Sequence, residues 1–343
     1  MQGGPRRLRD ADFRDGRMNR RDALFSLIAL GAGPLFAEAQ QAGKAWRIGV
    51  LRPGPDDAVF RQNFDPFLQA LRELRFAEGK NLTIDYRVRP GSPEEMLALA
   101  KELVRAKADA ILAISPAGVS AAATATATIP IVATDLESDP IASGFIANLA
   151  RPGRNVTGVF LDFPEMGGKW LQLLKEAVPK LARTAVLWEP AIGPSLLKGV
   201  EAAASSMGVQ LLRLEARGPA DFAPAFQSAA AQKAQALLVL GAPAFNSARK
   251  EIAALALKHR LPAIMPFPPF ADDGGLLAYG PHLPSLFRQA GGFMAKVLQG
   301  VRPGEIPIER PTRFEMVVNL KTAGALGLKI PRSLLLRADR VIE

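Results

Sequence analysis

The chain has 343 residues, enough for about two domains, and 48% of them are apolar, so it can bury a sizeable core. It contains no cysteine and two histidines, which excludes disulfides, iron–sulfur clusters, cysteine-ligated zinc, thiol nucleophiles and histidine-rich metal sites. Lysine and arginine exceed aspartate and glutamate by 43 to 33, and the net charge of +10 fits nucleic acid, an anionic surface or plain solubility equally well.

The first 39 residues have the pattern of an export signal. Met18 is the expected start, because Asn19-Arg20-Arg21 places positive charge ahead of the mostly apolar residues 23–37. Ala37-Glu38-Ala39 then provides the small residues that a signal peptidase requires. The apolar stretch is shorter than the roughly 20 residues of a membrane span, and no cysteine is available for a lipid anchor. We therefore predict a periplasmic protein cleaved near Ala39, exported by either the Sec or the twin-arginine route.

Short apolar runs alternate with helical patterns along the rest of the chain. Most of the ten runs are rich in valine, isoleucine and leucine without polar alternation, which is typical of parallel strands covered on both faces. These runs lie at residues 46–51, 82–86, 109–114, 129–133, 156–160, 184–188, 209–214, 236–240, 262–266 and 276–279. Apolar residues at helical spacing predict helices at 93–106, 165–178, 195–207, 221–232, 244–259 and 283–300.

This alternation predicts an α/β fold with right-handed crossovers and doubly wound parallel sheets. Ten strands exceed one small sheet, so we predict two lobes of about five strands each, joined by a multi-strand hinge. The chain is expected to cross between the lobes near 156–160, again at 276–281 and again at 311–318.

The predicted N-terminal lobe comprises residues 46–156 with about 281–311, and the C-terminal lobe 157–280 with about 312–343. Two such lobes enclose a cleft between the carboxyl ends of their sheets, and a ligand is expected there.

Five collinear segments resemble a known family. They are RIGVLRP at 47–53, IPIV at 129–132, LARPGRNVTG at 149–158, YGP at 279–281 and NLKTAGALGL at 319–328. Together they look like the solute-binding proteins of ABC transporters, in particular the tryptophan/tyrosine-type branch. The resemblance implies a type I periplasmic-binding fold that closes on a small solute and delivers it to a membrane permease.

Sequence motifs of catalysis are missing. Gly167-Gly168-Lys169 is followed by Trp170 and lacks the first glycine of a phosphate loop, and neither a Gly-x-Ser-x-Gly elbow nor a His-Glu-x-x-His motif occurs. His259 ends a predicted helix and His282 follows a predicted crossing, and neither has a convincing serine or aspartate partner. We interpret both histidines as structural.

Three alternating acids, Asp135, Glu137 and Asp139, are a weak candidate for a cation site. They fail the calcium-loop pattern, because Pro140 stands where glycine is needed and Ile146 where the twelfth-position glutamate is needed. We therefore predict no metal and no cofactor.

Residues at or near the ends of predicted strands are the candidates for ligand binding. They are Arg52, Ser115, Thr134, Asp135, Trp188, Gly241, Pro243, Pro266 and Tyr279. Arg52 is expected to bind a carboxylate and Ser115, with the amides of a helix start, an anion. Asp135 is expected to pair with an ammonium group, and Trp188 or Tyr279 to stack on a flat or apolar group.

Each candidate also has a purely structural interpretation. Arg52 fits a surface or intralobe ion pair, Ser115 a plain N-cap, Asp135 a helix-capping or hinge carboxylate, and Trp188 a core position. Phe267 and Phe270, with the prolines between them, fit either a cleft wall or an ordinary loop.

The sequence thus favours an exported, monomeric, non-enzymatic solute receptor that works with an ABC permease in the inner membrane. The expected ligand is an amino acid or a small carboxylate: Arg52 with Asp135 suits a zwitterion, Trp188 or Tyr279 an aromatic or branched side chain, and an aromatic carboxylate is an alternative. No nucleic-acid partner is expected, because a regulator of this architecture needs a DNA-reading helix-turn-helix, and residues 1–45 carry an apolar segment instead. An α/β enzyme that uses Asp135 or Asp139 on a small metabolite is the other alternative.

Overall fold

A computed structural model describes residues 44–161, 164–190 and 194–343 of the chain. The predicted leader, with its start at Met18 and its cleavage site near Ala39, lies outside the described residues. No helix in the described part of the chain is both long enough and apolar enough to cross a bilayer.

The elements alternate as the apolar runs predict. The strands are β1 (Trp46–Pro53), β2 (Leu82–Arg89), β3 (Ala110–Ile114), β4 (Ile131–Asp135), β5 (Val156–Phe160), β6 (Arg183–Trp188), β7 (Gln210–Glu215), β8 (Ala236–Val239), β9 (Ala263–Met265), β10 (Leu277–Pro281), β11 (Phe314–Asn319) and β12 (Arg340–Ile342). The helices are α1 (Ala58–Glu73), α2 (Pro93–Arg105), α3 (Ser115–Ala125), α4 (Pro164–Ala177), α5 (Ser195–Met207), α6 (Pro219–Ala231), α7 (Pro243–Ser247), α8 (Arg249–Lys258), α9 (Pro269–Asp272), α10 (Leu283–Leu298), α11 (Leu320–Leu326) and α12 (Arg332–Leu335).

The first sheet contains five strands, all parallel, in the order β2-β1-β3-β4-β5. Apart from the edge strand β2, its strands are buried on both faces: the adjacent residues Ile111 and Leu112 of β3 are both fully buried, yet they belong to two different apolar clusters. This two-sided burial is the reason that the strands read as continuous apolar runs.

The second sheet contains seven strands in the order β12-β11-β10-β9-β8-β6-β7, and β10 and β11 are its antiparallel pair. The short strand β12 had not been predicted, because its three residues lie at the edge of the sheet and carry little apolar pattern. Two sheets dominated by parallel strands confirm the predicted α/β fold with two lobes.

The chain passes between the sheets three times. It leaves the first sheet after β5, returns after β10 to place α10 against α1, β4 and β5, and leaves again before β11. Backbone hydrogen bonds join the crossings to one another: Phe160 donates to Glu309, Glu309 donates to Gly158, and His282 donates to Arg313. The three crossings therefore form one connected hinge.

Two sequence-based boundaries need correction. Residues 157–160 had been assigned to the C-terminal lobe, but all of β5 pairs with β4 in the first sheet, from Val156 beside Ile131 to Phe160 beside Asp135. The single helix predicted at 244–259 is divided into α7 and α8, because the backbone of Ala248 leaves the helical conformation between them.

Candidate functional site

A cavity of about 120 Å³ lies between the two lobes, at the carboxyl ends of their strands. It borders a larger cavity of about 1070 Å³ that is lined by Pro90 and Glu94 of the first lobe and by Arg217, Pro219 and Glu251 of the second. The two cavities share five residues, namely Pro53, Pro55, Ser115, Pro243 and Ser247. We call the smaller one the inner cavity and the larger one the outer cavity.

The loop after β1 brings a guanidinium group to the inner cavity. Arg52 donates one hydrogen bond to the backbone oxygen of Pro55 at 2.8 Å, and its charge lies over the ring of Phe60, 4.6 Å from the centroid. Burial lowers the pKa of Arg52, while the nearby Asp57 and Asp56 oppose that shift. Among the residues that the structure describes, Arg52 has no carboxylate within ion-pair distance, so it can donate its remaining guanidinium N–H groups to an anionic group in the inner cavity.

The turn from β3 into α3 supplies two kinds of hydrogen-bonding group. Ser115 has a left-handed backbone, with φ of 71°, and its hydroxyl oxygen is buried without a hydrogen-bond partner. The N-cap position of α3 is Ile114, so no side chain caps the first amides of this helix. An uncapped helix start beside a free hydroxyl can receive a carboxylate. The plain N-cap interpretation of Ser115 is therefore wrong.

The end of β4 contributes a buried hydroxyl and a turn with two acids. Thr134 is 3% exposed, and its hydroxyl, which has no partner in the described structure, borders the inner cavity. Asp135 is fully buried and does not border the cavity. Its carboxylate accepts the backbone N–H of Glu137 and of Ser138, each at 3.0 Å, and the hydroxyl of Ser138.

Glu137 occupies the position that the sequence had suggested for Asp135. It borders the inner cavity, is 7% exposed, and accepts one hydrogen bond, from the backbone of Leu136 at 3.2 Å. Burial, with a smaller contribution from the charge of Asp135, raises the pKa of Glu137 to about 8. Burial also raises the pKa of Asp135, to about 6, against the opposing effect of its own hydrogen bonds.

The second lobe covers the inner cavity with mainly apolar groups. Ala242, Pro243 and Phe267 line it, together with Asn246, whose side-chain oxygen is buried and unpartnered among the described residues. Arg249 also lines it, but its guanidinium is 2.9 Å from the carboxylate of Asp273 and is therefore committed to that ion pair. From the first lobe, Leu283, Leu286 and Phe287 at the start of α10 complete the apolar wall.

Of the nine residues predicted to bind ligand, four line the inner cavity. They are Arg52, Ser115, Thr134 and Pro243, and their contact with a ligand stays a prediction. The other five border neither cavity: Asp135, Trp188, Gly241, Pro266 and Tyr279. Tyr279 stacks on Phe314 with ring centroids 6.0 Å apart, and Trp188 packs against the main apolar core. Packing within the second lobe explains the positions of Trp188 and Tyr279.

Several lining residues were missed in the sequence. Glu137 had been weighed as a metal ligand alone, and Asp57 and Asn246 lie four residues after β1 and seven residues after β8, beyond the positions that the strand-end rule selects. Phe267 lines the inner cavity, as the cleft-wall interpretation proposed, whereas Phe270 is fully buried in the core. His282, interpreted as structural, accepts the N–H of Ser285 at 3.3 Å and so caps the first turn of α10.

Comparison with known proteins gives consistent matches across the described fold. A model of the ABC transporter substrate binding protein family matches residues 48–342. The tyrosine-binding protein of Clostridioides difficile (strain R20291) is 26% identical over 268 residues, which is 77% of this chain and 76% of that protein.

Two solved structures resemble the fold over 87% of this chain and 100% of theirs. One is a conserved domain protein from Vibrio cholerae, with a TM-score of 0.81 and 26% identity. The other is an ABC domain in complex with L-Trp from Streptococcus pneumoniae, with a TM-score of 0.80 and 21% identity. The predicted type I periplasmic-binding fold is confirmed.

Proposed function

We propose a transport role for this chain, which belongs to the family of ABC transporter substrate-binding proteins, as its sequence segments predicted. In this role the protein acts outside the cytoplasm, binds one amino acid in the inner cavity without altering it, and delivers it to a permease in the inner membrane. A small carboxylate is the alternative ligand.

One observation carries the proposal: buried, unpartnered polar atoms from both lobes border the same cavity. They are the hydroxyl oxygens of Ser115 and Thr134 from the first lobe and the amide oxygen of Asn246 from the second. Leaving a buried polar group unsatisfied costs about 1–3 kcal/mol. A polar solute that bonds to all three atoms removes this cost and at the same time links the lobes.

The charged groups of the inner cavity support an amino acid as the solute. Arg52, with Ser115 and the start of α3, forms a receptor for a carboxylate. Phe60, Phe267 and Phe287 supply apolar contact area for a side chain. The names of the relatives, a tyrosine-binding protein and a domain crystallised with L-Trp, support an aromatic side chain.

The hinge supports binding by closure. Three crossings joined by backbone hydrogen bonds allow the lobes to rotate as bodies, and the outer cavity gives the solute a route to the inner one. A solute held by Arg52 and Ser115 then gains its bond to Asn246 when the second lobe closes, so that binding favours the closed form. The permease would recognise that form.

A thermal-shift and calorimetric panel tests the proposal. The purified protein is mixed with each of the standard amino acids and with small carboxylates such as 3-phenylpropionate. At a concentration about a thousand times the Kd, a ligand stabilises the folded protein by about 4 kcal/mol. We expect one or a few amino acids to give such a shift. A folded, ligand-free protein that no amino acid or carboxylate stabilises would overturn the proposed function.

A further inference from the structure

The turn after β4 presents one of its two acids to the inner cavity. Asp135 is enclosed by its own turn, which supplies donors from Glu137 and Ser138, while Glu137 borders the cavity with a single weak donor behind it. We propose that Glu137 receives the ammonium group of the bound amino acid and gives up a proton to solvent as it does so. The inference rests on the proposed function and names the chemistry of the ligand's second charged group.

The first support is that Glu137 is buried without a cation. The residue is 7% exposed, and no lysine, arginine or histidine of the described structure lies within ion-pair distance of its carboxyl group. A buried carboxylate without a partner is strongly unfavourable, so the group is kept either protonated or paired. The ligand-free cavity provides no pair.

The charged groups on the other elements around the inner cavity have partners of their own. After β1, Arg52 and Asp57 use the backbone of Pro55 and Phe60 as partners. From the second lobe, Arg249 is engaged by Asp273. None of these groups contributes to the titration of Glu137, on which Asp135 is the one acting charge.

The remaining element is α10, which faces the cavity with apolar side chains. Its charged residues are occupied elsewhere: Arg288 binds Glu73, and Lys296 lies 5.4 Å from the centroid of Phe293. His282, at its start, is bonded to Ser285 and lies 3.9 Å from Glu315. An ammonium group arriving with the solute is therefore the cation that Glu137 lacks.

The proton balance follows from this environment. Because the pKa of Glu137 is raised to about 8, the group is mainly protonated in the ligand-free protein at pH 7. An ammonium group at hydrogen-bond distance favours the carboxylate and lowers that pKa. The solute arrives as R–NH₃⁺, the O–H bond of Glu137 breaks, and one proton leaves to the buffer, so the association constant rises with pH up to about 8.

Calorimetry in two buffers of different ionisation enthalpy measures this proton directly. With L-tyrosine as the probe at pH 7, we expect about one proton released per molecule bound. Its amine-free analogue, 3-(4-hydroxyphenyl)propionate, is expected to bind at least tenfold more weakly and to release none. Any other amino acid that stabilises the protein in the panel is measured in the same way.

Matched variants test whether the proton released on binding comes from Glu137. Glu137→Gln should bind L-tyrosine about tenfold more weakly and release no proton, whereas Glu78→Gln, at an exposed position, should behave as the wild type. Wild-type protein that binds amino acids without releasing a proton overturns the inference and leaves the proposed function intact. If no amino acid binds, the proposed function and the inference both fail.

Discussion

The two lobes contribute chemically different surfaces to the inner cavity. The first lobe brings most of the polar groups, namely Arg52, Asp57, Asn63, Ser115, Thr134 and Glu137. The second brings mainly apolar groups with the amide of Asn246 and the hydroxyl of Ser247, and its one lining cation, Arg249, is already paired with Asp273 among the described residues. The first lobe is therefore equipped to recognise a polar solute and the second to cover it.

Sheet topology explains the difference. Strands β1, β3 and β4 are neighbours in the first sheet, so the polar residues that follow them meet at one edge. In the second sheet the lining residues follow β8 and β9, which are also neighbours, but the chain there carries Ala242, Pro243 and Phe267. Both sheets therefore present the carboxyl ends of their strands to the inner cavity, and the side chains at those ends give the two lobes different roles.

The strongest test of the different roles of the two lobes replaces the lining arginine of each lobe by methionine. Arg52→Met should weaken amino-acid binding by about 100-fold, or about 3 kcal/mol, because it removes a partly buried charged donor. Arg249→Met should leave affinity within about threefold and lower stability by about 1–2 kcal/mol, because its partner is Asp273. Calorimetry with the best ligand of the panel measures both. Greater loss of affinity in the Arg249 variant would reverse the assignment of roles.

A second test uses the pH dependence of stability without ligand. The pKa of Glu137 is raised in the folded state, so the stability it contributes is present below its unfolded value of about 4.5 and is lost as pH rises through about 8. We expect the free energy of unfolding to fall by on the order of 4 kcal/mol between pH 5 and pH 8.5. In urea titrations, the free energy of unfolding of Glu137→Gln should decrease much less over the same pH range. If the stability of the variant falls with pH as steeply as that of the wild type, the carboxyl group of Glu137 does not cause the fall.

Ser115 allows stability and binding to be separated within the first lobe. Its left-handed backbone is strained for any residue with a side chain, so Ser115→Gly should raise the free energy of unfolding by about 1 kcal/mol. The same change removes the hydroxyl and should weaken binding about tenfold. Ser115→Ala also removes the hydroxyl but keeps the strain, so it is the matched control, and the stability of the glycine variant above that of the alanine variant measures the strain. Equal thermal midpoints for the glycine and alanine variants would show that the left-handed backbone at position 115 does not destabilise the protein.

The smallest effect is expected for Asn246, whose buried amide oxygen is the unpartnered polar atom that the second lobe brings to the inner cavity among the described residues. Asn246→Ala should weaken binding about fivefold, about 1 kcal/mol, and act mainly on the dissociation rate, because the bond forms on closure. Thr134→Val in the first lobe is the counterpart and should also slow association if recognition begins there. Stopped-flow fluorescence measures both rates. A dominant effect of Asn246→Ala on association would mean that the second lobe makes first contact.

The fold was largely predictable because strands that are buried on both faces appear in the sequence as continuous apolar runs. All ten apolar runs became strands, and the capping box of α2, in which Ser92 and Glu95 satisfy each other's backbone N–H groups, matches its predicted start. The break at Ala248 was not predictable from local pattern, since neither glycine nor proline marks it.

The site was predictable in the first lobe and poorly so in the second. Strand ends located Arg52, Ser115 and Thr134, but β4 runs to Asp135, two residues beyond the predicted end, and this placed Glu137 at the cavity instead. In the second lobe the same rule selected Trp188 and Tyr279. The end of a strand identifies an edge of its own sheet. Which of these strand ends face the other lobe depends on how the lobes are oriented, and the local sequence does not encode that orientation.

The order in which the chain returns to its first lobe has a consequence for biosynthesis. Helix α10 packs against α1 so closely that a Cβ atom on Gly291 would lie 2.8 Å from that of Ala70, and Phe287 meets Phe64 with ring centroids 5.7 Å apart. A ribosome completes α1 long before it makes α10, so a nascent chain that ends before residue 283 leaves the aromatic face of α1 uncovered. The N-terminal half therefore cannot reach its final packing until most of the polypeptide has been synthesised.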